Sequence, residues 1–117
     1  GIENCYAQNE SPEVQYKLAA GFYERGQWDE ASKALEEFVT NHPNATQTPQ
    51  ASFFLAETLM QQHKFKSAYV RYQHFLKQFV GHPLEVRAIF RMGESAFRDD
   101  NTLIAIRMLE EFAKKYP

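Results

Sequence analysis

Displaced by 37 residues, the chain falls into register with itself twice, and this constrains its fold more than any other feature. Ala31, Ala68 and Ala105 superpose, as do Leu18, Leu55 and Met92, then Ala19, Ala56 and Gly93, then Leu35, Tyr72 and Leu109, then Phe38, Phe75 and Phe112. The turn positions are less regular, with Trp28 falling on Phe65 and Thr102, and Pro43 on Val80 and Pro117. Core positions that recur while turn positions drift describe a structural unit present three times. Each copy is too small to bury its apolar face alone and must stack on the next.

Within a unit the apolar spacing is helical. Leu18, Ala19 and Phe22 stand at i, i+1 and i+4, and Ala31, Leu35, Phe38 and Val39 at i, i+4, i+7 and i+8, so both halves read as amphipathic helices. Ser11-Pro12-Glu13 and Thr48-Pro49-Gln50 mark helix starts, each offering a hydroxyl to cap free backbone N–H groups and a proline that the first turn tolerates. The third unit opens less clearly, after Gly81-His82-Pro83. Gly26, His63 and Asp100 occupy matching turn positions and tolerate a left-handed backbone better than most residues. The pattern predicts helices over about residues 12–25, 28–42, 48–62, 65–80, 84–99 and 102–115, with no strand. Small residues at Ala19/Ala56/Gly93 facing Ala31/Ala68/Ala105 let the two helices of a pair approach closely.

Composition agrees with one folded domain. A chain of 117 residues can hold one core, and 10 Phe, 6 Tyr and 1 Trp supply the area to bury. A net charge of -2, from 13 basic and 15 acidic residues, gives no overall pull toward nucleic acid or anionic lipid. No apolar run approaches the ~18 residues a membrane-spanning helix needs. The one cysteine, Cys5, has no internal disulfide mate, follows Glu3 and Asn4 instead of the small apolar residues that precede a lipid-modified cysteine, and reads as incidental. In "CYAQ", Ala7 would suit the position before a signal cleavage, without the apolar segment that should come before it.

These residues carry a family resemblance. A small residue after Leu in the first helix, an aromatic near the turn, Ala then a large apolar residue then Phe in the second helix, and a closing Pro resemble the tetratricopeptide repeat over residues 12 to 117. The usual unit is about 34 residues, shorter than this one. The longer spacing, with "NHP", "GHP" and "KKYP" closing the second helices, looks like the bacterial cell-envelope branch that includes outer-membrane assembly lipoproteins and the Tol-Pal-associated coordinator of cell division. Thr102 in place of an aromatic and Ala96 in place of a large residue depart from the pattern and predict looser packing in the third unit. The division expected is an N-terminal arm over residues 1–11 and units over 12–48, 49–85 and 86–117. The resemblance implies an all-α, right-handed superhelical solenoid of three helix-turn-helix units whose first helices line a concave face, and a periplasmic or cell-envelope setting.

On that face the repeat places Tyr16, Phe53 and Phe90 in one column and Tyr23, Met60 and Phe97 in another. Two readings stay open: packing between neighbouring first helices, or a groove for an apolar or aromatic-bearing segment. The polar groove candidates are Glu13, Lys17, Glu24, Glu57, Glu94, Arg87, Arg91 and Arg98. Arg87, Arg91 and Arg98, at i, i+4 and i+11, share one helix face, which is either simply solvated or a fork for carboxylates. The chaperone-binding subgroup of the family grips a peptide C-terminus with lysines and asparagines. At the matching places this chain has Glu13, Lys17, Gln50, Phe54, Arg87 and Arg91, so that ligand is not expected.

Nothing in the sequence points to catalysis, a cofactor or a metal. His42 and His82 precede prolines, His63 sits in a turn, His74 lies on a second helix, and none has a partner at metal-ligand spacing. There is no phosphate-binding glycine loop or nucleophile motif, and Glu36/Glu37 and Glu110/Glu111 recur with the repeat, as exposed helix faces do. Asn44 opens a short glycan-acceptor triplet of a kind common by chance. RNA would need a groove that is basic along every unit, which is not present. The expected function is a non-catalytic protein-interaction scaffold. The alternatives are a self-association module that forms a homodimer or an accessory domain of an enzyme. Because no capping helix follows the last unit, Phe112 and its neighbours lead to the expectation that the natural protein continues past Pro117.

Overall fold

The computed structural model describes residues 11–117, so Cys5 and the "CYAQ" stretch lie outside the described residues. Six helices follow one another: α1 (Pro12–Glu24), α2 (Trp28–Asn41), α3 (Thr48–Gln61), α4 (Phe65–Gln78), α5 (Glu85–Arg98) and α6 (Thr102–Lys115), with no strand among the described residues. Each helix packs on its neighbours in sequence, and α1 also reaches α3, giving an elongated helical solenoid of 48 × 27 × 21 Å.

Local chemistry sets the helix ends. Ser11 caps α1, its Oγ accepting from the Val14 N–H at 3.3 Å, with Pro12 in the first turn. Thr48 behaves differently from the expectation. Its hydroxyl donates back to the His42 carbonyl, tying the end of α2 to the start of α3, and no side chain caps α3. Gly26, His63 and Asp100 all take the left-handed conformation, with φ of 71°, 60° and 59°. The residue after each returns its N–H to a carbonyl five residues earlier, Gln27 to Phe22, Lys64 to Leu59 and Asn101 to Ala96, all at 2.9 Å. The same capping bond thus turns the chain inside every helix pair.

Two apolar cores fill the stack. Ala19, Ala31, Leu35 and Phe38 of the first pair are closed by Ala51 and Leu55 of α3. Phe53, Ala56, Met60, Ala68, Tyr72 and Phe75 of the second pair are closed by Ala88 and Met92 of α5. Every core therefore needs the first helix of the following pair. The third pair has no such cover among the described residues, and α6 buries only Ala105 while Leu103, Ile106 and Leu109 stay exposed. Beside Ala96, the short residue where Leu59 stands in the preceding pair, a cleft of about 230 Å³ opens between Tyr69 and Ile104.

Candidate functional site

The first helices meet directly along one side of the stack. Tyr23 of α1 lies 4.8 Å, ring to ring, from Phe54 of α3, and Arg91 of α5 bonds to Glu57 of α3. On the other side α2 and α4 flank a cleft of about 420 Å³ reaching from Ser32 and Glu36 to Val70 and Arg71.

At the centre of the first-helix side is a polar cluster built from three helices, α3, α4 and α5. The Tyr72 hydroxyl of α4 donates to Glu57 Oε1. Arg91 donates to both Glu57 oxygens, from Nε at 2.8 Å and from Nη2 at 3.3 Å, and from Nη1 to Glu94 at 2.8 Å. Arg98 stands 3.9 Å from the other Glu94 oxygen. The Arg87 guanidinium lies 5.6 Å over the Phe53 ring, and among the described residues no carboxylate pairs with it. Burial pushes the Tyr72 phenol well above its ordinary range, and the hydrogen bond to Glu57 and the Glu57 charge push the same way. Burial and then the Glu57 charge raise Tyr23 of α1, while Arg87 and Arg91 oppose them. Burial works against the charge on Arg91, and its bonds to Glu57 and Glu94 outweigh that, holding it above the usual guanidinium value.

The sequence-derived columns divide by depth. Phe53 and Met60, open between packing and groove, and Glu57, a groove candidate, are all buried, Phe53 to 1% exposure. Phe53 meets Tyr72 and Phe75 edge-on and is covered by the arrival of α5, so its place in the column is core. Tyr16 and Tyr23 are half-buried, against Phe38 and against Trp28 and Phe54. Phe90 and Phe97, at the same repeat positions as Phe53 and Met60, are exposed because no later helix covers them among the described residues. Lys17, Arg87 and Arg98 are exposed, and Arg91 and Glu94 are half-buried in the cluster. Tyr72 was read only as a core residue. Its signal was a phenol at a position where the other two units carry Leu35 and Leu109.

The family model of YfiO, an outer membrane lipoprotein, matches residues 8–117. The chain belongs to this family. The YfiO match spans all six helices, in agreement with the cell-envelope branch of tetratricopeptide repeats that the sequence resembles. No curated protein matches the chain in sequence. Among the described residues no three His, Cys, Asp or Glu side chains gather as metal ligands, and no helix is long and apolar enough to cross a membrane. His42 bonds to Gln15 at 2.8 Å, joining the end of α2 to α1, and His82 Nδ1 accepts from the Leu84 N–H at 3.1 Å within its own loop.

Proposed function

We propose that the chain is a non-catalytic scaffold of the cell envelope that holds a protein segment against the face formed by α1, α3 and α5. Family membership supports the setting. The observation that carries the binding mode is Arg87: an exposed guanidinium, stacked on a buried aromatic ring and without a carboxylate partner among the described residues, is set to receive an acidic side chain of a partner. Tyr16 and Tyr23 give half-buried aromatic surface on the same face, and Lys17 and Arg98 are further exposed cations on it. Arg91 contributes by fixing the shape of the face, since Glu57 and Glu94 already hold its donors.

The test is site-specific photo-cross-linking in cells. A photoreactive residue at position 17 or 98 is expected to give discrete protein adducts, whereas the exposed second-helix positions Lys33 and Lys77 are expected to give none of those bands. The same adducts from both sides would overturn the assignment of the face. With the photoreactive residue at position 17 or 98, Arg87→Glu is expected to weaken the adducts, because charge reversal opposes an acidic partner.

A further inference from the structure

We propose that the second-helix side of the stack holds a groove for an extended acidic segment of a protein partner, with Arg71 as its anchor. The first observation is a departure from the repeat. At the place of Arg71 in α4 the other two units carry Ala34 and Met108, both packed against the apolar cores. A guanidinium there bears a cost of burial that neither equivalent bears. Burial lowers Arg71 from the ordinary guanidinium value, and the Glu36 charge opposes this without closing an ion pair. The Arg71 Nε is buried and has no hydrogen-bond partner. Ser52 of α3, which lines the same cleft and is only 1% exposed, also has a hydroxyl without a partner. Buried polar groups are ordinarily satisfied, so a cation and a hydroxyl left unanswered at one place call for a ligand.

That place is where two clefts join. Arg71 lines both the cleft of about 420 Å³ that it shares with Ser32, Glu36 and Ser67, and one of about 280 Å³ that it shares with Thr40, Ser52 and His74. The first continues across Lys66 and Val70 into the cleft of about 230 Å³ beside Ala96. Val70, 54% exposed, is the ridge between them. A run of three connected clefts suits a chain better than a free ion, with a carboxylate at Arg71 and an apolar side chain between Tyr69 and Ile104. Charge selects the same ligand: around the largest cleft Lys64, Lys66 and Arg71 outnumber Glu36, so an anionic side chain is drawn in. The groove lies on the flank, between helix pairs that are themselves described, and a further pair at either end would lengthen the stack instead of lying over it. It uses none of Lys17, Arg87 and Arg98, so it stands or falls apart from the face proposed above.

The experiment is photo-cross-linking of the full-length protein in cells, with a photoreactive residue at the exposed groove position 67 and the adducts read by mass spectrometry. A discrete adduct is expected, to a protein segment that bears an aspartate or glutamate. Arg71→Gln is expected to lower its yield about tenfold or more, because the carboxylate loses a charged donor. Glu36→Gln, at an exposed residue, is expected to raise the yield about twofold by removing a competing carboxylate. Ala96→Leu puts into the apolar cleft the side chain that Leu59 has one unit earlier, and is expected to lower the yield. Circular dichroism of the purified variants checks that each remains folded, and should Arg71→Gln unfold, the rise in Glu36→Gln decides. The proposal is overturned if position 67 gives no adduct, or one within the chain itself, to lipid, or to a segment without an acidic residue. It is also overturned if Glu36→Gln fails to raise the yield, or if folded Arg71→Gln or Ala96→Leu leaves it unchanged.

Discussion

Arg91 closes a fork on Glu57, its Nε and Nη2 reaching the two carboxylate oxygens at 2.8 and 3.3 Å, within a seam otherwise made of apolar side chains. The Glu57 side chain is nearly inaccessible and the Arg91 side chain is partly so. In such a pair the loss of one member costs more than the loss of both, since it strands a buried charge. Arg91→Ala, which leaves Glu57 with the Tyr72 hydroxyl alone, is expected to destabilise the fold by about 3 kcal/mol or more. The double variant Glu57→Gln, Arg91→Met is expected to recover a large part of that. Urea denaturation of both variants checks this, and equal losses in the two would show that pair and seam are uncoupled.

Tyr72 makes a prediction about alkaline pH. Its phenol is raised from the ordinary 10.0 by burial and by Glu57, so the folded protein keeps the proton where the unfolded chain gives it up. The contribution is complete below pH 10.0 and is lost as pH climbs above it toward the folded value. Unfolding free energy should thus fall above that point, by at most about 1.4 kcal/mol per pH unit for this group. Tyr72→Phe is expected to flatten the decline, leaving the smaller part due to Tyr16 and Tyr23, and to cost about 2 kcal/mol at neutral pH through the lost bond to a carboxylate. Denaturant titrations on either side of pH 10 separate the slope from the offset.

What the sequence made legible was whatever depends on one unit and its period. Gly26, His63 and Asp100 turned as their residue types suggested, and Ala31, Ala68 and Ala105 all lie buried where the pairs close. Helix ends fell within two residues of the periodic reading, the second helices of the first two pairs stopping early at Asn41 and Gln78. Depth was not legible, because it depends on which neighbour is present. Phe53 and Phe90 occupy one repeat position, yet α5 covers the first and nothing described covers the second. Nor could spacing show that Glu57 and Arg91, from different units, would pair, since in the first unit their places hold Ala20 and Lys17.

The same dependence on neighbours predicts unequal costs at equivalent positions. Leu55 is 3% exposed between two helix pairs, whereas Leu18 is more than half exposed on α1. Leu55→Ala is expected to cost about 3 kcal/mol, the lost burial plus the cavity left in a closed seam. Leu18→Ala is expected to change stability by no more than about 0.5 kcal/mol. Comparable losses at the two sites would mean that Leu18 is covered in solution by something else in the chain.

The three turns offer a test of backbone strain with opposite signs. Gly26 holds a φ of 71°, and a Cβ built there would meet only the Trp28 ring, at an ordinary 3.7 Å. Gly26→Ala therefore isolates the backbone penalty of an L-residue in the left-handed region, about 1 kcal/mol. Asp100 already bears such a penalty at φ 59°. Asp100→Gly relieves it at the cost of a freer unfolded chain, for a net gain of about 0.5 kcal/mol. In a domain of this size these changes correspond to a fall of about 4 °C in Tm for the first and a rise of about 2 °C for the second. Thermal melts followed by circular dichroism suffice. A loss of stability in Asp100→Gly would mean that the aspartate side chain holds the turn by a bond of its own, which the backbone bond from Asn101 to Ala96 does not require.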